Sequence, residues 1–194
     1  MDLSRSQNIS LEQSGDSLIV RFSRPEIRNP LSIEILTELH AMIDGVSSQK
    51  EIRKIIFTGT DDIFASGANL NEIAAVTSET AKEFAIRGQT LMQKIVDAPQ
   101  TTIAFINGYC FGGALDLALA CDVRVASPNA VFCHPGADLG IITGWSGTQR
   151  LPRLIGEAKA LEMFFTAKRV DAEEALATGL IDRISEKLAT EEDF

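Results

Sequence analysis

The chain has 194 residues, of which 45% are hydrophobic, so it can bury a sizeable core as a single domain over residues 1–194. Its formal net charge is −9 and no Lys/Arg cluster is present, which argues against a nucleic acid partner. The N-terminal ten residues contain no apolar segment of the signal-peptide kind. The 3 cysteines form no CxxC pair, which favours reduced thiols and a cytoplasmic location.

Five segments rich in β-branched and aromatic residues predict strands, at residues 17–22, 54–59, 102–106, 123–126 and 130–133. Helical periodicity fills much of the chain between them. Three positions have the spacing of helix N-terminal caps: Ser32, Thr80 with Glu83, and Asp171 with Glu174. The alternation predicts a layered α/β domain whose binding turns collect at strand ends.

The apolar stretch 101–120 is long enough to be mistaken for a membrane helix. It is interrupted by Asn107-Gly108 and Gly112-Gly113 and carries Asp116. We therefore expect a strand, a turn and a buried helix, and no membrane partner.

The glycine pair Gly112-Gly113 stands at the expected strand-to-helix turn, where a ligand can approach the backbone closely. The first backbone N–H groups of a helix have no internal partner and can bind an anion. The other interpretation is a turn that serves only tight packing.

A second small-residue turn follows the strand at 54–59, in the segment 63–70 with the sequence IFASGANL. The two turns together resemble the enoyl-CoA hydratase/isomerase (crotonase) superfamily. The resemblance covers about residues 18–184, and its further landmarks are Arg24-Pro25, Asn29-Pro30-Leu31-Ser32, Gly147-Thr148-Gln149-Arg150-Leu151 and Ala177-Thr178-Gly179-Leu180-Ile181-Asp182.

This resemblance implies a spiral of ββα units and an oxyanion hole for an acyl-CoA thioester, formed by the backbone N–H groups of Ala68 and Gly113. It places Asp116 at one of the two catalytic glutamate positions of family hydratases. It implies no cofactor beyond the coenzyme A of the substrate, and a homotrimer or dimer of trimers. The substrate-binding positions it implies are Arg24, Arg28, Ala65, Gly67, Leu70, Gly112 and Gly136.

The chain departs from the family at the second glutamate position, which is Gly136. Asp138 could turn inward to share the acid/base work, or be a plain turn residue. His134 could titrate near neutral pH and contact a substrate, although a histidine before proline more often makes a structural hydrogen bond. Asp116 itself could be an acid favoured in a first helical turn by about 0.3–1 kcal/mol.

Two further departures concern binding and size. Lysines that family members place near the coenzyme A phosphates are replaced by Glu26 and Asn71, and Arg28 could substitute for one of them. The usual C-terminal helical segment, which covers the acyl site, is expected to be missing after Phe194.

Hydration of a 2-enoyl-CoA is therefore the first expectation, with Asp116 as the principal acid/base. Isomerisation or decarboxylation of an acyl-CoA is the nearest alternative, and the resemblance keeps decarboxylation open because decarboxylases of the superfamily rely mostly on the oxyanion hole. A carbon–carbon bond-forming member of the superfamily also has Gly at the second position, so Gly136 does not imply inactivity. A noncatalytic CoA-binding or scaffold protein is the alternative from another class. No His, Cys or acid spacing indicates a metal site, and no Ser-His-Asp motif is present.

Overall fold

The structure, a computed structural model, describes residues 6–188. Its strands are β1 (Ile9–Ser14), β2 (Ser17–Phe22), β3 (Pro30–Leu31), β4 (Lys54–Thr58), β5 (Ile63–Ala65), β6 (Gly67–Ala68), β7 (Thr101–Ile106), β8 (Tyr109–Phe111), β9 (Val123–Ala126), β10 (Val131–Cys133), β11 (Val170–Asp171) and β12 (Arg183–Ile184). Its helices are α1 (Ile33–Val46), α2 (Leu70–Ala74), α3 (Ala81–Val96), α4 (Gly113–Ala120), α5 (Gly136–Leu139), α6 (Gly147–Ile155), α7 (Glu157–Thr166) and α8 (Ala172–Thr178).

Two larger sheets and one small one organise the chain. The six-stranded sheet has the order β1-β2-β4-β7-β9-β12, and only its β1/β2 edge is antiparallel. The four-stranded sheet has the order β11-β10-β8-β5, and β3 pairs with β6 in a two-stranded sheet. All five predicted strands are confirmed, with ends that differ by at most one residue.

A ββα unit occurs three times along the chain. In each unit a strand of the six-stranded sheet (β4, β7 or β9) is followed by a short strand of the four-stranded sheet (β5, β8 or β10) and then by helix. The three long strands are neighbours in one sheet and the three short strands are neighbours in the other. This arrangement confirms the expected spiral, and it brings the turns after β5 and β8 side by side.

The helix caps agree with the sequence at two of three positions. Ser32 Oγ accepts a hydrogen bond from the Ile35 amide, and Asp171 Oδ1 accepts one from the Glu174 amide. The prediction for Thr80 was wrong, because its hydroxyl accepts a hydrogen bond from the Thr77 amide of the preceding turn instead. Within residues 6–188, no helix is long and apolar enough to cross a membrane.

Helix α4 lies in the centre of the core. Every residue from Ala114 to Ala120 is buried, including Asp116. A helix that is apolar on all sides can be placed only where neighbours surround it, so the one acid on α4 is enclosed by protein.

Candidate active site

Two backbone turns meet at the start of α4. Gly67 and Gly112 both have left-handed backbones, with φ of 90° and 53°. A Cβ on Gly67 would lie 2.6 Å from the Phe111 carbonyl oxygen and 2.9 Å from the Gly113 nitrogen. Gly67 therefore allows the two turns to touch, which a residue with a side chain would prevent.

The backbone nitrogens of Ala68 and Gly113 are neighbours in this contact. The Ala68 nitrogen lies 3.4 Å from the position that a Cβ on Gly113 would occupy. Gly113 is the first residue of α4, where an N–H group has no carbonyl partner in the helix. The structure thus brings together the two amides that the sequence predicted as a pair.

Trp145 packs directly on this pair. Its indole ring is 2% exposed and contacts the α-carbon side of Gly113, where a Cβ would overlap the ring. The same ring lies against Gly88 of α3 and 5.6 Å from the ring centre of Phe84. The sequence analysis missed Trp145, although a single tryptophan beside Gly144 and Gly147 was a signal.

An apolar cavity of about 100 Å³ opens beside the two amides. Both Ala68 and Gly113 line it, and most of the other lining residues are apolar. Its polar side chains are few: Ser66, His134 and Thr143. A concave apolar site with a few convergent polar groups is typical of a small-molecule pocket.

Asp116 lies beneath this cavity with no exposed surface. Thr143, which lines the cavity, donates a hydrogen bond from its hydroxyl group to Asp116 Oδ2. Burial raises the pKa of Asp116 to about 7, against the opposing effects of the Thr143 hydrogen bond, the Trp145 and Gly147 backbone amides and the charge of Arg150. The other oxygen, Oδ1, makes no hydrogen bond of ordinary geometry among the described residues. The predicted acid is therefore a titratable group near neutral pH, but one that does not open onto the cavity.

His134 lies between Asp116 and the cavity. It lines the cavity, is 3% exposed, and places Nε2 3.6 Å from Asp116 Oδ1. Nε2 makes no hydrogen bond. Desolvation lowers the pKa of His134 to about 4, which keeps the ring neutral at pH 7.

Gly136 also lines the cavity, on the short helix α5. A Cβ at this position would overlap the carbonyl oxygen of Ile141, whose amide donates to the Gly136 carbonyl at 3.0 Å. The loop packs directly against Gly136, so a glutamate at this position would require the loop to move. Asp138, two residues further, is exposed and does not line the cavity, so the structure does not place it for acid/base work.

The predicted binding residues separate into two groups. Leu70 and Gly112 line the cavity. Ala65 is fully buried in the hydrophobic core, so its side chain faces away from any substrate. Arg24 is paired with Glu26 through a 2.5 Å contact between Nε and Oε1.

Arg28 lines a neighbouring cavity of about 400 Å³, and Ser66 lines both cavities. Tyr109, Phe111 and Arg169 form the rest of this second cavity with Asp62 and Ile63. The Arg169 guanidinium lies over the Phe111 ring, 5.6 Å from its centre. Arg169 is a second cation beside Arg28 that the sequence analysis missed.

Among residues 6–188 no cluster of three His, Cys, Asp or Glu side chains could hold a metal ion. The site consists instead of two adjacent amides, an apolar cavity and a buried carboxyl group. Backbone amides at an apolar cavity can stabilise negative charge on a bound carbonyl oxygen.

Comparison with known proteins identifies the family. Residues 13–192 match the enoyl-CoA hydratase/isomerase family, and the chain belongs to it. It is 34% identical over 180 residues to a short-chain-enoyl-CoA hydratase of Clostridium acetobutylicum, covering 92% of this chain and 69% of that protein. It is 34% identical over 179 residues to a crotonyl-CoA hydratase of Syntrophomonas wolfei, with the same coverage of 92% and 69%.

Solved structures agree. An enoyl-CoA hydratase from Thermoplasma volcanium superposes with a TM-score of 0.90 at 31% identity, covering 95% of this chain and 74% of that one. One from Bacillus anthracis superposes with a TM-score of 0.87 at 35% identity, covering 92% and 70%. These matches confirm the crotonase fold expected from the sequence.

Proposed function

We propose that this protein hydrates a short 2-enoyl-CoA to the 3-hydroxyacyl-CoA. The adjacency of the Ala68 and Gly113 amides beside an apolar cavity carries the proposal. Membership of the enoyl-CoA hydratase/isomerase family and the similarity to two named enoyl-CoA hydratases support it.

The two amides would act on the thioester carbonyl. When water adds to the β-carbon, negative charge develops on the carbonyl oxygen, and donors already in place stabilise it. Loss of one such donor costs about 3–4 kcal/mol of transition-state stabilisation in other enzymes. Trp145 would hold the Gly113 amide in position, since the ring fills the space that a side chain would occupy.

The proton chemistry is assigned to the Asp116 carboxyl group. A general acid or base works best when its pKa is near the working pH, and burial raises the pKa of Asp116 to about 7. Asp138 stays a weaker candidate, since it is exposed.

The second cavity is assigned to the coenzyme A part of the substrate. Arg28 and Arg169 supply positive charge there, and Tyr109 and Phe111 supply aromatic surface. These two cations would compensate for Glu26 and Asn71, which stand where family members carry lysines.

The proposal also places the protein in the cytoplasm, as a homo-oligomer. The free cysteines Cys110, Cys121 and Cys133 are all buried, which agrees with a reducing cytoplasm. One apolar side chain away from both cavities, Phe165, is 74% exposed. Such surface favours a homo-oligomer, as a homotrimer or dimer of trimers.

Isomerisation or decarboxylation of an acyl-CoA is the second candidate, and one observation favours it. Gly136 leaves the loop without the second acid, and decarboxylation requires stabilisation of the enolate oxygen more than a pair of carboxylates. A noncatalytic CoA-binding protein would have the cavities without turnover.

Steady-state turnover of an acyl-CoA panel separates these candidates. The panel contains crotonyl-CoA, longer 2-enoyl-CoA thioesters, a 3-enoyl-CoA and a malonyl-type thioester. We expect crotonyl-CoA to be consumed fastest, with 3-hydroxybutyryl-CoA as product. Consumption of the 3-enoyl-CoA or loss of carbon dioxide as the principal reaction would contradict the proposal, and binding without turnover would favour the noncatalytic alternative.

A further inference from the structure

Asp116 and the cavity are separated by other side chains. The carboxyl group has no exposed surface, and its Oδ2 is occupied by the Thr143 hydroxyl. A fully buried acid cannot exchange a proton with a bound substrate unless another group carries the proton. Two side chains line the cavity and also face Asp116: Thr143, whose hydroxyl donates to Oδ2, and His134, which faces the other oxygen, Oδ1.

The facing atoms are Nε2 of His134 and Oδ1 of Asp116, 3.6 Å apart. Both atoms are buried and neither makes a hydrogen bond of ordinary geometry among the described residues, although the Trp145 and Gly147 backbone amides lie close enough to the carboxyl group to lower its pKa. A movement of about 0.6 Å would bring them to the usual N–H···O distance, and catalytic hydrogen bonds are often long before substrate binds. Burying two unpartnered polar atoms against each other is costly unless they exchange a proton or share one.

Besides the Thr143 hydroxyl on Oδ2, few other proton carriers surround this pair. Gly147 approaches Oδ1 so closely that a Cβ there would overlap it, which keeps other side chains away. Arg150 of α6 and Cys110 of β8 are the charged and titratable neighbours that interact with Asp116. The Phe164 ring of α7, whose centre lies 5.0 Å from that of the imidazole, presents no proton acceptor.

We propose that His134 carries protons between the cavity and Asp116, so that His134 meets the substrate and Asp116, behind it, accepts the proton and returns it. The inference rests on the proposed hydration. It also accounts for Gly136: with a histidine relay at 134, one carboxyl group serves both halves of the reaction and no second acid is needed.

In the proposed relay, His134 passes protons in both directions between the substrate and Asp116. Water forms the new C–O bond at the β-carbon while its proton passes to Nδ1 of His134, and the proton on Nε2 passes to Oδ1 of Asp116. The electron pair of the carbon–carbon double bond moves to the thioester oxygen, held by the Ala68 and Gly113 amides. Oδ1 then returns its proton to Nε2, and Nδ1 gives its proton to the α-carbon. One water is added and both side chains regain their starting states.

A relay predicts coupling between the two side chains that is measurable without substrate. The sequence has only two histidines, so ¹⁵N-histidine NMR of the full chain resolves His134 from His40. His40 is an internal control, since its Nε2 lies 3.1 Å from the Arg87 carbonyl, away from the cavity. We expect the ring nitrogen signals of His134 to shift with a midpoint near pH 7 as Asp116 ionises, and to lose that shift in Asp116→Asn.

Kinetics with crotonyl-CoA provide the second measurement. His134→Gln should lower kcat by about 100-fold or more, the usual contribution of a general acid or base, with KM changed less than about threefold. In the wild type kcat should rise with pH through about 7, the pKa to which burial raises Asp116, and this rise should vanish in both His134→Gln and Asp116→Asn. The matched control His40→Gln should keep the wild-type rate and pH profile.

The outcomes separate this inference from the proposed function. If the wild-type protein hydrates no enoyl-CoA, the proposed function fails. The relay fails with it, even if NMR shows that His134 and Asp116 are coupled, because there is then no hydration for the relay to serve. If hydration is present but His134→Gln keeps at least a third of wild-type kcat, or if His134 signals ignore Asp116→Asn, the relay is overturned alone. Thermal unfolding checks each variant, and His134→Asn replaces His134→Gln if the latter does not fold.

Discussion

Trp145 and Gly113 are in direct contact, and the indole ring occupies the space that a β-carbon on Gly113 would need. The contact explains why position 113 is glycine: the residue supplies an amide to the cavity while a tryptophan covers its other side. The position of that amide therefore depends on a packing contact made 32 residues later in the chain, at Trp145.

Gly113→Ala should lower kcat for crotonyl-CoA by about 100-fold or more, the cost of losing one oxyanion donor. The added methyl overlaps the Trp145 ring, so either the ring or the amide must move. Steady-state kinetics measure the effect, and circular dichroism confirms folding. Gly45→Ala is the matched control, since nothing lies within 4 Å of a Cβ at that helix position. Wild-type kcat in Gly113→Ala would show that this amide has no role in turnover.

Gly88→Ala tests the other side of the same tryptophan through stability. Alanine is a better helix former than glycine by up to about 1 kcal/mol. At Gly88 the methyl overlaps the Trp145 indole ring, and overpacking costs about 1–3 kcal/mol. We expect Gly88→Ala to lower the free energy of unfolding and Gly45→Ala to raise it. Equal stabilisation in urea unfolding of both variants would mean that Trp145 is free to move away.

The melting temperature should change with pH in opposite directions in two variants, Asp116→Asn and His134→Phe. The pKa of Asp116 is raised to about 7 in the folded protein, so the stability it contributes is present at low pH and lost as the pH rises through about 7. The pKa of His134 is lowered to about 4, so its contribution is present above its ordinary value of 6.5 and lost as the pH falls through about 4. In the wild type these two trends oppose each other.

Removing one partner leaves the other trend alone. From pH 4 to 6.5 the melting temperature of Asp116→Asn should rise, because His134 remains. Over the same range that of His134→Phe should fall, because Asp116 remains. The melting temperature against pH, measured by differential scanning fluorimetry, checks both slopes. Parallel curves for the two variants would contradict the assigned direction of at least one of these pKa shifts.

Arg28→Ala and Arg169→Ala should each raise KM for crotonyl-CoA by up to about tenfold, which corresponds to about 1.4 kcal/mol. The reason is the loss of a cation from the second cavity, where the nucleotide part of coenzyme A is assigned. The N-acetylcysteamine thioester of crotonate lacks that part, so its turnover should be unchanged in both variants. Arg53→Ala is the control, because its side chain is 79% exposed and does not line the second cavity. Equal losses with both thioesters would place these arginines elsewhere in the mechanism.

Much of the fold was predictable because its signals are local. Five strands follow from their residue types, and the Ser32 and Asp171 caps follow from spacing over four residues. Thr80 shows where spacing alone fails to predict a cap. Its hydroxyl accepts a hydrogen bond from the Thr77 amide of the preceding turn, and the same sequence is compatible with that turn and with a helix cap.

The site was predictable in part for the same reason. Ala68 and Gly113 were paired through motifs, but their contact requires two neighbouring ββα units. His134 and Asp116 face each other across 18 residues, and no pattern in either segment fixes that distance. The burial of Asp116 beneath Thr143 likewise depends on a loop that closes from another part of the chain.

The most direct test of the central claim is turnover of crotonyl-CoA in oxygen-18 water, followed by mass analysis of the product. Hydration predicts 3-hydroxybutyryl-CoA that carries one labelled oxygen, and a rate that falls sharply in Asp116→Asn while its melting temperature shows a folded protein. An unlabelled product, or a labelled one formed equally fast by Asp116→Asn, would contradict the account.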